Sequence, residues 1–256
     1  EDIPTYAKSL IGTPYKFAPD EAPMNLQLHR GSRATALVSV CLLICLSTTV
    51  PLRAQDKPKS GLTIDVPGKR LTIDCVVAPR KLEKLSEIYP IEVIATHPAP
   101  KGQKAHETVV TFDVAPSDVH KALESLGLKP GTPAKGEAAK AVGPEVKVFL
   151  EFPAAGGLPK RLAIEKTLVD RKTGKSLPPL KWIFTGSVMK QPDPNKPEKV
   201  YGADTTGTLI SLFPVTDETV LQTNLTMKDE PLIKLDTAKD VLPAVGTAVK
   251  LVIEIK

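Results

Sequence analysis

Residues 24–55, MNLQLHRGSRATALVSVCLLICLSTTVPLRAQ, divide this chain before any fold can be considered. A basic stretch (His29, Arg30, Arg33) leads into an apolar run from Ala34 to Val50. Pro51-Leu52-Arg53-Ala54 then closes the run with a small residue where a signal peptidase cuts. The expectation is a signal peptide over 24–54, removed after Ala54, with the mature protein exported to the periplasm or the cell exterior. The alternative is a retained membrane anchor over 34–50. Its seventeen residues are few for a spanning helix, which needs about 20 apolar residues, and Ser and Thr interrupt them. Residues 1–23 carry four prolines and no periodicity, and are read as extra upstream sequence outside the fold.

What remains, 55–256, is about 200 residues, enough for one domain with a real core. Its charge excess is small and scattered, against +5 for the whole chain. With few aromatic residues (4%) and no basic cluster, nucleic-acid binding is not expected. Cys41 and Cys45 lie in the leader, so the domain keeps only Cys75 of the three cysteines. One thiol makes no internal disulfide, no cysteine zinc site and no iron–sulfur cluster. In Leu71-Thr-Ile-Asp-Cys-Val-Val77, Cys75 falls on the apolar face of a strand and reads as core.

Of the chain's 25 prolines, 20 lie in 55–256, where they punctuate short apolar runs, which is the grammar of strands and loops. Two-residue alternation marks strands at 62–66 and 70–78 around Pro67-Gly68, a hairpin turn. Further strands are expected at 91–96, 106–114, 146–152, 162–169, 180–184, 208–213, 219–223 and 249–255. One helix stands out over about 116–126. Pro116 suits its first turn, Val119, Ala122, Leu123 and Leu126 share a face, and Gly127 suits its end. A weaker helix is expected over 80–88 from Leu82, Leu85 and Ile88, and 132–143 reads as a mobile loop. The fold class is α+β: a mostly antiparallel sheet or partly open β-barrel with one principal helix.

From His106 to Gly131, HETVVTFDVAPSDVHKALESLGLKPG, the chain resembles the YdjY-domain family of exported bacterial proteins. The likeness continues in Trp182-Ile-Phe-Thr-Gly-Ser187, Tyr201-Gly-Ala-Asp204 and Gly207-Thr-Leu-Ile-Ser-Leu212, over roughly 90–215. The resemblance implies a domain of unsettled function and brings no activity to carry over.

The chemistry-bearing candidates are His106, Glu107 and His120. A strand–turn–helix unit can bring two imidazoles and a carboxylate together for a divalent ion or for acid–base work. The competing reading gives each a structural hydrogen bond, and no third His or Cys adjoins them to complete a zinc site. Ser187 lacks the flanking glycines of a nucleophile elbow and, like Asp204, reads first as a turn former. Both are secondary binding candidates. No phosphate loop and no dinucleotide glycine motif occurs. No cofactor is expected beyond a possible divalent metal at His106 and His120.

Three readings follow. The favoured one is an exported, non-enzymatic binding or accessory domain with a protein or surface-polymer partner and no membrane contact after cleavage. The second is a hydrolase or metal enzyme using His106, Glu107 and His120. The third is an accessory subunit tethered by 34–50.

Overall fold

Apolar alternation along short strands becomes the wall of a closed barrel. The computed structural model describes residues 61–154 and 157–256. The upstream segment 1–23, the leader 24–54 and the alternative anchor 34–50 lie outside the described residues. In chain order the strands are β1 (Leu62–Asp65), β2 (Arg70–Val77), β3 (Val93–Thr96), β4 (Thr108–Phe112), β5 (Glu145–Phe152), β6 (Lys160–Ala163) and β7 (Leu168–Asp170). They continue as β8 (Trp182–Phe184), β9 (Met189–Lys190), β10 (Val200–Tyr201), β11 (Thr208–Ser211), β12 (Leu221–Thr223), β13 (Leu235–Thr237) and β14 (Ala248–Ile255). The helices are α1 (Pro116–Ser125) and the single turn α2 (Gly202–Thr206). Among the described residues no helix is long and apolar enough to cross a membrane.

The main sheet runs β2–β14–β5–β8–β12–β11–β3–β4, and β4 returns to β2 through Cys75↔Phe112 and Val77↔Val110. Eight strands therefore close on themselves, and β1 and β6 flank the barrel on β2 and β5. Only the β3–β4 and β11–β12 junctions of the barrel are parallel. The expected mostly antiparallel β-fold is present, and its barrel is closed, not partly open. A barrel of this size is filled by its own side chains. Leu71, Ile73, Cys75 and Val77 of β2 are buried, as are Val146, Val148, Leu150 and Phe152 of β5 and Leu251 and Ile253 of β14. Each fully buried Leu or Ile contributes about 1.5–3 kcal/mol of transfer free energy.

Helix α1 forms for the reasons its sequence announces. Pro116 occupies a first-turn position whose N–H would have no helical partner. Val119, Ala122 and Leu123 are buried on one face. Gly127, at φ +95°, ends the helix in the left-handed region, and the Leu128 N–H returns to the Leu123 carbonyl.

Three expectations are corrected. Residues 80–88 are not helical; a lone turn, Leu85 N–H to Leu82 C=O, is all that forms. Ile88 of the supposed apolar stripe is exposed, so no buried face stabilises a helix there. Arg80 and Arg171 instead hold the stretch open by donating to the Tyr89 carbonyl and to the Asp236 carboxylate between them. The strand expected over 162–169 is interrupted by a 3₁₀ turn, Ile164–Thr167, closed by the Thr167 hydroxyl on the Ile164 carbonyl. The loop 132–143 is tied down. Buried Gln222 accepts from the Ala134 N–H (2.7 Å) and donates to the Ala134 carbonyl (2.9 Å), while Gly136 N–H donates to Pro214.

Candidate functional site

Three of the five residues singled out in the sequence meet where α1, the β8–β9 connection and α2 come together. The backbone makes this contact possible at two glycines. Gly186 turns with φ +67°, and a Cβ there would stand 3.0 Å from His120 Cε1 and 2.9 Å from Pro130. A Cβ at Gly202 would lie 2.8 Å from Glu218 and 3.2 Å from the Ser187 hydroxyl. Any side chain at either position would push His120 and Ser187 off their partners.

The centre of the cluster is Tyr201, at the end of β10. Its hydroxyl lies 2.6 Å from His120 Nδ1 and accepts the Ser187 N–H at 3.0 Å. The hydroxyl thus bridges the His120 imidazole and the Ser187 amide. The other ring nitrogen of His120, Nε2, lies 3.5 Å from Glu124, one turn along α1. Burial pushes the Tyr201 pKa up, so the hydroxyl stays protonated across the physiological range. The His120 ring also packs edge-on against Phe184 of β8.

Ser187 and Asp204 serve helix ends. The Ser187 hydroxyl accepts the Ala203 N–H at 3.0 Å, inside the first turn of α2. Among the described residues no imidazole partners this hydroxyl, which instead points to the Val188 and Asp217 carbonyls at 3.3 and 3.4 Å. Asp204 accepts the Ser117 N–H at 2.8 Å, and thereby caps α1 from a different element. Ala115, at the capping position of α1 itself, offers no side-chain acceptor.

His106 and Glu107 lie elsewhere. They precede β4, whereas His120 follows it, and the two histidines share no partner. Buried Glu107 accepts from Lys104 Nζ (2.6 Å), which also reaches Glu92 (2.7 Å), and its other oxygen lies 3.1 Å from His106 Nε2. Tyr89 stands edge-on to the His106 ring. This network ties the 98–107 connection to the start of β3. Among the described residues no group of three or more His, Cys, Asp or Glu is arranged to hold a metal ion.

A concavity lies at a different place. At one end of the barrel, the neighbouring strands β4, β2, β14 and β5 line a groove of about 960 Å³. Its surface is mostly apolar. Cys75, Phe112, Phe152 and Val249 contribute buried positions, Val76 and Ala248 contribute exposed ones, and Pro98 and Pro159 border it. Asp74, Asp113, Glu151 and Lys250 supply its charges. Cys75 is no nucleophile here, because burial drives its pKa well above the usual thiol range.

Sequence reasoning missed Tyr201 as the residue joining His120 to Ser187, although the Tyr-Gly-Ala-Asp motif containing it had drawn notice. It also missed His97. That residue is fully buried and stacked on Phe112, with Nδ1 2.9 Å from the Phe112 carbonyl and Nε2 without a partner. The groove had no linear signal at all, since its four strands come from distant parts of the chain.

A family model described as the YdjY domain matches residues 62–254, from β1 to the last turn of β14. The chain belongs to that family. No curated protein and no solved structure matches it significantly.

Proposed function

We propose that this YdjY-domain chain is an exported, non-enzymatic binding domain, and that its ligand is held in the groove formed by β4, β2, β14 and β5. One contrast carries the reading. The polar side chains that resemble chemistry are engaged as caps and ties, while a mostly apolar concavity of about 960 Å³ opens at the barrel end. Small-ligand sites typically measure about 300–1,000 Å³ and combine apolar walls with a few polar groups. The leader over 24–54 supports export.

The test has two arms on one preparation. Expression with the native leader and intact-mass measurement of exported material should give an amino terminus at Gln55. A mass that retains 34–50 would replace the exported form by the tethered one. A thermal-shift screen of small ligands on that material should yield hits that Val76→Trp, which fills the groove from an exposed position, abolishes. Hits indifferent to Val76→Trp would remove the groove from the reading.

A hydrolytic reading has one observation in its favour: Glu107 orients His106 in the manner of a carboxylate–imidazole pair. Loss of an ester- or amide-hydrolysing activity in His106→Ala, with thermal stability kept, would promote it above the binding reading.

A further inference from the structure

We propose that the groove selects a small amphiphilic cation: an apolar body carrying an ammonium group. The inference rests on the binding reading above and adds the charge of the ligand. Across β5, β14 and β2 the strand registers set Glu151 beside Lys250 and Lys250 beside Asp74. Among the described residues Lys250 is the only basic side chain lining the groove, and by register it stands beside two carboxylates. Its ammonium is 3.9 Å from Asp74, with both side chains largely exposed, so it neutralises Asp74 weakly. Glu151 has a second neighbour, Arg161 at 3.5 Å, but that guanidinium is held at 2.6 Å by Glu254.

Asp113 completes the set. It follows Phe112, the β4 residue in register with Cys75, and lies exposed in the groove wall. No hydrogen bond or ion pair from the described residues reaches its carboxylate. The described lining residues thus carry three carboxylates against one ammonium, with Lys160 as a second cation beside the groove, its Nζ 5.7 Å from the Phe152 ring centroid, in a chain whose net charge is +5. Local sign and global sign are opposed, which is the arrangement that draws a cation to one spot on a basic protein. The apolar side chains accept the body of the ligand, and Asp113 and Asp74 accept its head.

Three probes of one shape separate the possibilities: 4-phenylbutylamine, 4-phenylbutanol and 4-phenylbutyrate, titrated calorimetrically into the full mature protein at low salt. The amine is expected to bind about tenfold tighter than the alcohol, and the carboxylate weakest. Asp74→Asn and Asp113→Asn should each cost the amine about three- to fivefold and leave the alcohol unchanged, as for exposed ion pairs. About 0.5 M salt should compress the same preference. Val76→Trp should remove binding of all three. All of these substitutions are at exposed positions, and circular dichroism checks the fold. Should the alcohol or the carboxylate bind as tightly as the amine, and Val76→Trp still abolish binding, the groove stands and the cation is overturned. Should no probe bind, or Val76→Trp change nothing, both fall.

Discussion

Replacing Tyr201 by Phe tests whether the His120 cluster is scaffold or machinery. The substitution removes one oxygen and little volume, so the edge-on packing against the His120 ring and the contact with α2 are kept. What disappears is the atom between His120 Nδ1 (2.6 Å) and the Ser187 N–H (3.0 Å). A polar group left unsatisfied inside a protein costs about 1–3 kcal/mol. Two such groups are stranded here, both half-buried, so the lower part of that range applies to each and the total is about 2–3 kcal/mol. In a domain of this size each kcal/mol moves the melting temperature by about 2–4 °C, which gives a fall of about 4–12 °C. The single Trp182, nearly fully buried in β8, reports the transition by fluorescence in urea. The midpoint should drop with the slope unchanged, since the surface exposed on unfolding is the same. A cycle with His120→Leu should show coupling of about 1 kcal/mol, because both changes break the same bond. A loss below about 0.5 kcal/mol would refute the assignment of Tyr201 as a structural bridge, and would return His120 to the list of groups free to act on a ligand.

Stability should also depend on pH through His97. Burial holds its pKa below the usual value, so the unfolded chain takes up a proton that the native state refuses. The stabilisation is complete above about pH 7 and shrinks as pH falls below about 6.5, and His97→Phe should flatten that slope in urea titrations between about pH 5 and 7. Tyr201 acts at the other end: its raised pKa keeps the native phenol protonated where the unfolded one ionises, so stability declines above about pH 10. Gly207→Ala should cost more than about 2 kcal/mol in denaturant titrations, because φ is +71° and the new methyl would stand 2.8 Å from His97 Cδ2 and 2.9 Å from its Cβ. Gln222→Ala strands the Ala134 N–H and carbonyl and the Thr216 carbonyl, and should open 132–143 to limited proteolysis at a cost of about 3 kcal/mol. An unchanged cleavage pattern would show that the loop is held by other contacts.

The parts of the fold legible in the sequence are those in which the cause is local. Pro67-Gly68 between two alternating runs gives β1 and β2, and Pro116, the Val119–Leu123 stripe and Gly127 give α1 with its end. Barrel closure has no local cause. It depends on Cys75 meeting Phe112 and on β14 lying between β2 and β5, pairings between residues far apart in the chain. α2, β9, β10 and β13 are too short for any period to register. The stripe at 82, 85 and 88 shows the opposite failure: the period is present, but no surface exists to bury it.

The site divides along the same line. His120, Ser187 and Asp204 were recognisable as polar residues in unusual settings, yet the settings turn out to be the reason for them. A short helix buried at the junction of three elements has amides that must be satisfied from outside its own turn. Ser187 and Asp204 do this for α2 and α1, and Tyr201 does it for the Ser187 amide while holding His120. A group engaged in this way has little valence left for a ligand. Asp113 is the reverse case. It reads as an ordinary outward position of a strand, and only the adjacency of β4, β2, β14 and β5 shows a carboxylate without a partner among the described residues, set in the wall of an apolar groove. For the proposed ligand, the polar residues that catch the eye in the chain are the poorer guide, and the charge that the fold leaves unanswered is the better one.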